Sequence, residues 1–339
     1  MIFRRLYDYL WIILLPLSIV WAGTMWLRRR LCGQKPYRSK IPIICVGNLH
    51  SGGSGKTPLV LAISEKFTSR NPAILSRGYG GSAAKSSKVV DRGAPNGSVC
   101  YGDEPWMMAN LSSFSIFVGK NRVASIQGIE KTASTLAVLD DGFQYLKLAK
   151  DVHLVAINVE RSIKEDSYCL PWGELREPWS SLRYASAVVL TGARDSGCWR
   201  EWEEFVKESS GEIPVFKAYL SQVGLWQGTE GYQRPDGESM IGFCGIADSK
   251  NFTQSLAALK SVTFVKAFRD HHSYNVTDVK WLIEKAQELK ATALVTTDKD
   301  YFKTQHLFER MGARLVSLRI RYDIDENFWY FLKERIERH

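Results

Sequence analysis

Beyond Lys40 the chain alternates short apolar runs with helix-length stretches of mixed polarity. Ile43, Ile44 and Val46 mark one buried strand, and Ala73–Ser76, Lys88–Val90, Ser115–Val118, Leu136–Leu139, His153–Ile157, Ala187–Leu190 and Val215–Ala218 predict others. Strands separated by helical segments argue for a parallel α/β sheet sandwiched by helices. Gly-Thr-Glu-Gly and Arg-Pro-Asp-Gly turns then cluster at 221–238, which reads as a linker. A second alternation follows: Ile241–Gly245, Thr263–Ala267, Ala293–Thr296 and Arg314–Leu318. Its clearest helix is Asn275–Lys290, with Val279, Leu282, Ile283, Ala286 and Leu289 on one face. The pattern predicts a core at 31–220 and a second, smaller α/β domain at 239–339.

The N-terminus breaks this rhythm. Leu10–Leu27 carries no charge and includes Trp11, Trp21 and Trp26. As a helix it would extend about 27 Å, against a hydrocarbon core of about 30 Å. Crossing the bilayer and lying in one leaflet both remain open. Arg28-Arg29-Arg30 stand where a signal peptide would be cleaved, and no A-x-A site follows. Residues 1–30 therefore predict a hydrophobic membrane helix with basic flanks.

Charge sharpens that picture. The 339 residues carry a formal net charge of +9. Eight basic residues against the single acid Asp8 lie at or before Lys40, so most of the excess flanks the apolar segment. Anionic lipid fits that placement better than nucleic acid, which would require a basic surface on the folded body. More basic residues follow the segment than precede it, which places the folded part on the cytoplasmic side. The six cysteines are scattered without a C-x-x-C pair, as expected of reduced thiols.

The first strand runs into His50-Ser51-Gly52-Gly53-Ser54-Gly55-Lys56-Thr57, and a helix pattern begins at Pro58. Strand, glycine-rich turn, GK[ST] and helix make a phosphate-binding loop, and hence a P-loop NTPase-type sheet. Glycines let backbone N–H groups approach phosphate oxygens, and the helix N-terminus favours the same anion. Lys56 would reach the β- and γ-phosphates of ATP, and the Thr57 hydroxyl would hold Mg²⁺. His50 occupies a position where the usual spacing has glycine. Ser51 stands where the similar loop of partition-type ATPases has a lysine.

Further polar clusters sit at predicted strand ends. Leu136–Gln144 delivers Asp140-Asp141, a pattern shared by metal-binding strands and by ordinary turns. Ser76–Gly81 is a basic, flexible loop where open α/β sheets bind ligands. Tyr101–Pro105 places Asp103 and Glu104 in a turn, and Leu170–Pro178 is dense in rigid and charged residues. Asp270-His271-His272 puts an acid beside an imidazole that could serve as a base.

In this order GNLHSGGSGKTP, SRGYGG, YGDEP, LDDGFQ, LPWGELREP, DHHSY and TTDKD resemble the tetraacyldisaccharide 4'-kinase (lipid A 4'-kinase) family. The resemblance covers nearly the whole chain. Family members usually carry a small hydroxyl residue where His50 stands. The resemblance implies an inner-membrane enzyme that phosphorylates the 4'-hydroxyl of a lipid A disaccharide 1-phosphate, using ATP and Mg²⁺. The backbone of His50–Gly55 and Lys56 would cradle phosphates. Thr57 and Asp141 would hold Mg²⁺, with Asp140 and Glu177 as acidic support. Asp103 would accept the sugar proton, aided by His271 across the cleft between the two domains. Arg77 and Arg176 would contact phosphate or substrate. The implied partners are the lipid substrate and anionic membrane lipids, with no nucleic acid and no obligate protein partner. Two rival classes are a membrane-associated switch ATPase and a P-loop kinase or ligase for a soluble metabolite. Ser51 argues against the first and the apolar N-terminal segment against the second.

Overall fold

The computed structural model describes the chain except residues 1, 33–34, 54, 164–167, 236, 248, 258 and 260. Ser54, one of the expected phosphate-loop residues, and part of the expected 221–238 linker lie outside the described residues. Two compact units form: Met1–Ser76 with Arg122–Leu220 and Tyr322–His339, and Arg77–Asn121 with Ser221–Arg321. Neither is a continuous segment. The division therefore differs from the contiguous blocks 31–220 and 239–339.

In the first unit, strand Ile43–Gly47 lies between Ala137–Asp140 and Val152–Asn158, parallel to both. Ala73–Ser76 pairs beyond Ala137–Asp140, and Ala187–Ala193 and then Val215 onward continue the other side, all parallel. Every residue of Ile43–Gly47 is buried, as a strand covered on both faces requires. Helix Lys56–Lys66 follows it and buries Leu59, Val60 and Ile63. Pro58 lies in the first turn, where a missing N–H breaks no helical bond. The core of this unit includes Leu49, Phe143, Leu175, Trp179 and Trp202, with Ala22 of the N-terminal helix packed against it.

That N-terminal helix runs Ile2–Cys32. Its apolar stretch Ile12–Leu31 has the length and composition to cross a membrane. Ile12, Ile13, Leu17, Ile19 and Val20 are exposed. Ser18 Oγ donates to the Cys169 carbonyl (2.5 Å) and Trp21 Nε1 to the Arg176 carbonyl (3.0 Å). The helix thus has a docked side and an apolar exposed side.

In the second unit, Val262–Ala267, Met240–Cys244, Ala293–Thr297 and Leu315 onward form a parallel sheet in that spatial order. Arg77–Asn121 belongs here because Met107 enters a core with Ile241, Phe243, Leu282 and Phe308. Trp106 Nε1 also donates to the Phe302 carbonyl at 3.1 Å. Strand Lys88–Val89 is an edge strand that pairs antiparallel with Ser115–Val118, against the parallel expectation. The stretch expected as a linker is instead mostly strand. Val215–Gln227 runs into it and turns back through Gly228, at φ 62°, to pair antiparallel with Glu230–Tyr232. The Gly-Thr-Glu-Gly turn closes a hairpin.

Candidate active site

The sequence around the first strand brings two charged segments to its carboxyl end. Val46 is in register with Asp140 on the neighbouring strand. A β-carbon added to Gly47 would stand 2.4 Å from that of Phe143, so only glycine lets the Leu136–Gln144 segment lie this close. The loop is then fastened to Leu170–Pro178. Arg176 N–H donates to the Leu49 carbonyl (2.6 Å), and Ser51 N–H to the Glu174 carbonyl (2.8 Å). Ser51 Oγ also donates to Glu174 O. The Ser51 donors are thereby spent on the protein.

His50 is fully buried, its ring edge-on to Trp179 at 5.1 Å. Its side chain anchors the loop in the core. Gly52 and Gly53 are exposed, and a β-carbon on Gly53 would meet nothing within 4 Å. Gly55 caps helix Lys56–Lys66 at φ 68°. A β-carbon there would stand 1.8 Å from the Tyr322 hydroxyl oxygen, and left-handed backbone excludes most side chains as well. Tyr322 is a loop neighbour that no local sequence signal announces.

Asp141 gathers the cations. Arg176 Nη1 donates to both its oxygens (2.9 and 3.0 Å), and Lys56 Nζ lies 3.5 Å from Oδ1. Burial pushes the Asp141 carboxyl up, but the charges of Lys56 and Arg176 and their hydrogen bonds outweigh it and hold it below the ordinary value. Asp140 is buried and accepts from Ser76 Oγ at 3.2 Å. Glu177 is buried and ion-paired with Arg29 of the N-terminal helix at 2.5 Å. Arg29 also stacks over Phe143, 4.4 Å from the ring centroid.

The donor set fits Mg²⁺ delivered with a nucleotide. Such an ion takes one or two protein oxygens and fills its shell with phosphate and water. Thr57 Oγ1 and the strand-end carboxylates are hard oxygen donors of that kind. Among the described residues no three His, Cys, Asp or Glu side chains form a protein cage for a metal.

The other expected residues meet within the second unit. Asp103 opens helix Asp103–Leu111, after Gly102 at φ 94°. Its Oδ2 lies 3.2 Å from His271 Nδ1 and accepts from Lys303 Nζ at 2.9 Å. The expectation that Asp103 and His271 join from two domains is corrected: both belong to this unit, because Trp106 and Met107 carry Asp103 into its core. Burial raises the Asp103 carboxyl, but bonds from His271 and Lys303, with the charges of Lys303 and Lys299, outweigh it and lower it overall. His271 has left-handed backbone (φ 55°), and the Tyr79 ring lies 5.8 Å from its own. His272 points elsewhere. It stacks on Phe268 and bonds Asp278, the acid of the capping box on helix Val276–Glu288. Arg77 is exposed and has no side-chain partner among the described residues.

A glycine-rich loop between a central parallel strand and a helix, its lysine sharing a carboxylate with an arginine, defines a P-loop phosphotransferase type of protein. The family model for tetraacyldisaccharide-1-P 4'-kinase matches residues 10–337, and the chain belongs to that family. It is 32% identical to the tetraacyldisaccharide 4'-kinase of Desulfotalea psychrophila over 95% of each chain. It is 35% identical to that of Syntrophobacter fumaroxidans over 81% of this chain and 75% of the relative. A crystal structure of LpxK from Aquifex aeolicus in complex with ATP superposes with a TM-score of 0.75. That match has 26% identity over 95% of this chain and 98% of the other.

Proposed function

We propose that this enzyme transfers the γ-phosphoryl group of ATP to the 4'-hydroxyl of a tetraacyldisaccharide 1-phosphate at the cytoplasmic face of the inner membrane. The observation that carries the reading is the convergence of Lys56 and Arg176 on Asp141 beside the glycine-rich loop. Phosphoryl transfer depends mainly on positioning and charge stabilisation. The backbone of Gly52–Gly55 and Lys56 bind the nucleotide phosphates, and Arg176 supplies a second cation. Thr57 and Asp141, with Asp140 and Glu177 as acidic support, would hold Mg²⁺, which would supply positive charge against the phosphates. Asp103 accepts the proton of the sugar hydroxyl, which is too weak an acid to ionise unaided at neutral pH. His271 orients that carboxylate, and Arg77 meets anionic groups of the substrate.

The N-terminal helix supports a placement along the membrane surface. Protein contacts occupy it from Ser18 to Arg29, roughly 16 Å of its length at 1.5 Å per residue. The opposite apolar side is left for lipid, and the basic flanks for anionic headgroups.

The test supplies purified protein with ATP-Mg²⁺ and the disaccharide 1-phosphate lipid, and locates the new phosphate by NMR. Phosphate at the 4' position is expected. ATP hydrolysis that ignores the lipid, with no phosphorylated product, would replace this reading with that of a switch ATPase.

A further inference from the structure

The segment Thr296–Asp300 and the helix it opens bring one turn of charged side chains to Asp103 and His271. Thr297 caps helix Asp298–Arg310, its hydroxyl oxygen accepting from Asp300 N–H. The buried Asp300 accepts from Gly245 N–H at 2.8 Å, and the Gly245 carbonyl accepts from His271 N–H at 3.1 Å. The backbone holding His271 is thus fixed from the helix start. Lys299 and Lys303, four residues apart, share one helix face. Lys299 Nζ lies 3.6 Å from Asp270 Oδ1, while Lys303 Nζ donates to Asp103 Oδ2. Lys303 and Asp103 are each only 13% exposed at the side chain, so solvent screens the pair little.

Both partners of Asp103, Lys303 and His271, meet the same oxygen. Oδ1 has no side-chain partner among the described residues. We propose that Lys303 is a positioning residue for phosphoryl transfer: with His271 it pins Asp103 through Oδ2 and leaves Oδ1 presented to the acceptor hydroxyl. The proposal rests on the reading of Asp103 as proton acceptor. The proton moves from the sugar oxygen to Oδ1 as the sugar oxygen bonds to the γ-phosphorus, and the bond from that phosphorus to the β–γ bridging oxygen breaks, its electron pair leaving with ADP. Lys303 gains and loses nothing.

The charged and titratable groups around Asp103 are Lys303 and Lys299 on one helix, His271 and Asp270 on the facing loop, and Glu104 beside it in sequence. Removing the Lys303 cation removes a force that favours the ionised carboxylate. The carboxyl then protonates at higher pH, and the acidic limb of kcat/KM moves upward.

The experiment compares wild type, Lys303→Met, Lys303→Arg and Asp103→Asn in micelles across the acidic range. For Lys303→Met a fall in kcat on the order of 10- to 100-fold, an upward shift of the acidic limb and an unchanged KM for ATP are expected. Lys303→Arg should restore most of kcat and the wild-type limb. If Asp103→Asn keeps full activity, the proton-acceptor reading fails. If Asp103→Asn is inactive while Lys303→Met keeps wild-type kcat and limb, this inference alone fails. A ¹³C titration of the Asp103 carboxyl in the wild-type protein, assigned by its loss in Asp103→Asn, does not depend on the lysine variants folding. A midpoint below the ordinary carboxylate range supports the inference, and one at or above it overturns it.

Discussion

Arg29→Met offers a demanding test of how the N-terminal helix is joined to the rest of its unit. The Arg29 side chain is 7% exposed and that of Glu177 is 2% exposed, with a 2.5 Å contact between them. Arg29 also lies over the Tyr184 ring, 4.8 Å from its centroid, so methionine keeps an apolar stem against Phe143 and Tyr184 but strands the Glu177 carboxylate in the interior. Breaking a buried pair from one side costs about 3–5 kcal/mol, because the remaining charge loses its compensation. The lost cation–π contacts with the two rings add about 0.5–2 kcal/mol. The apparent Tm should fall on the order of 5–15 °C. Thermal unfolding in one detergent would be followed for wild type, Arg29→Met, Glu177→Gln and the double variant. The double variant should be more stable than Arg29→Met, since it no longer buries an unpaired charge. A loss below about 1 kcal/mol in Arg29→Met, or a double variant showing the full sum of both single losses, would refute a buried pair.

Lys56→Ala and Thr57→Ala should each lower turnover by orders of magnitude while leaving the thermal transition intact; unchanged kcat in folded Lys56→Ala would remove the phosphate-loop reading. Asp103→Ala and His271→Ala should each depress kcat while nucleotide affinity, measured by calorimetry, stays near wild type. Their double variant should be little worse than the weaker single, because groups acting as a unit are non-additive; fully multiplicative losses would separate them. Deleting residues through Arg30 should release the protein from vesicles of anionic lipid and raise KM for lipid more than for ATP. It should also lower stability, because Ser18, Trp21 and Arg29 leave with the helix; a truncated protein that still pellets and melts as wild type would contradict this.

The parts of the site that sequence discloses are those whose chemistry is local. Gly55-Lys56-Thr57 is recognisable because a phosphate loop needs its turn, its cation and its Mg²⁺-binding hydroxyl adjacent in sequence. Asp140-Asp141 at a strand end reads equally as an ordinary turn, and only the phosphate-loop pattern upstream tips it toward metal work. The contribution of His50 was hidden, because its burial against Trp179 depends on a segment more than a hundred positions away. Tyr322 and Lys303 were hidden for the same reason. Nothing near Tyr322 signals that Gly55 approaches it, and Lys303 reaches Asp103 across a separation of 200 positions. The strand runs were legible by their apolar content, but their allotment to units was not. The sequence pattern reads Asp103 as part of a turn, and says nothing about the helix Asp103–Leu111 or which core Met107 enters. The turn at Gly228 was legible as a turn. Whether it ended a domain or closed a hairpin was decided by pairing between Leu225 and Tyr232.

The interleaving of the chain has a consequence for biosynthesis. Domains ordinarily fold in the order in which they leave the ribosome. Here the unit with the glycine-rich loop also requires Tyr322–His339, made much later, whose helix Glu326–Glu337 buries Phe328, Leu332 and Ile336. Tyr322, which abuts Gly55, belongs to that same late stretch. The glycine-rich loop is therefore synthesised well before a stretch that its own unit requires. A nascent chain halted before Tyr322 has the whole glycine-rich loop and still lacks part of the unit that holds it. Loss of helix Glu326–Glu337, far from the loop in sequence, removes core side chains from the same unit as the loop.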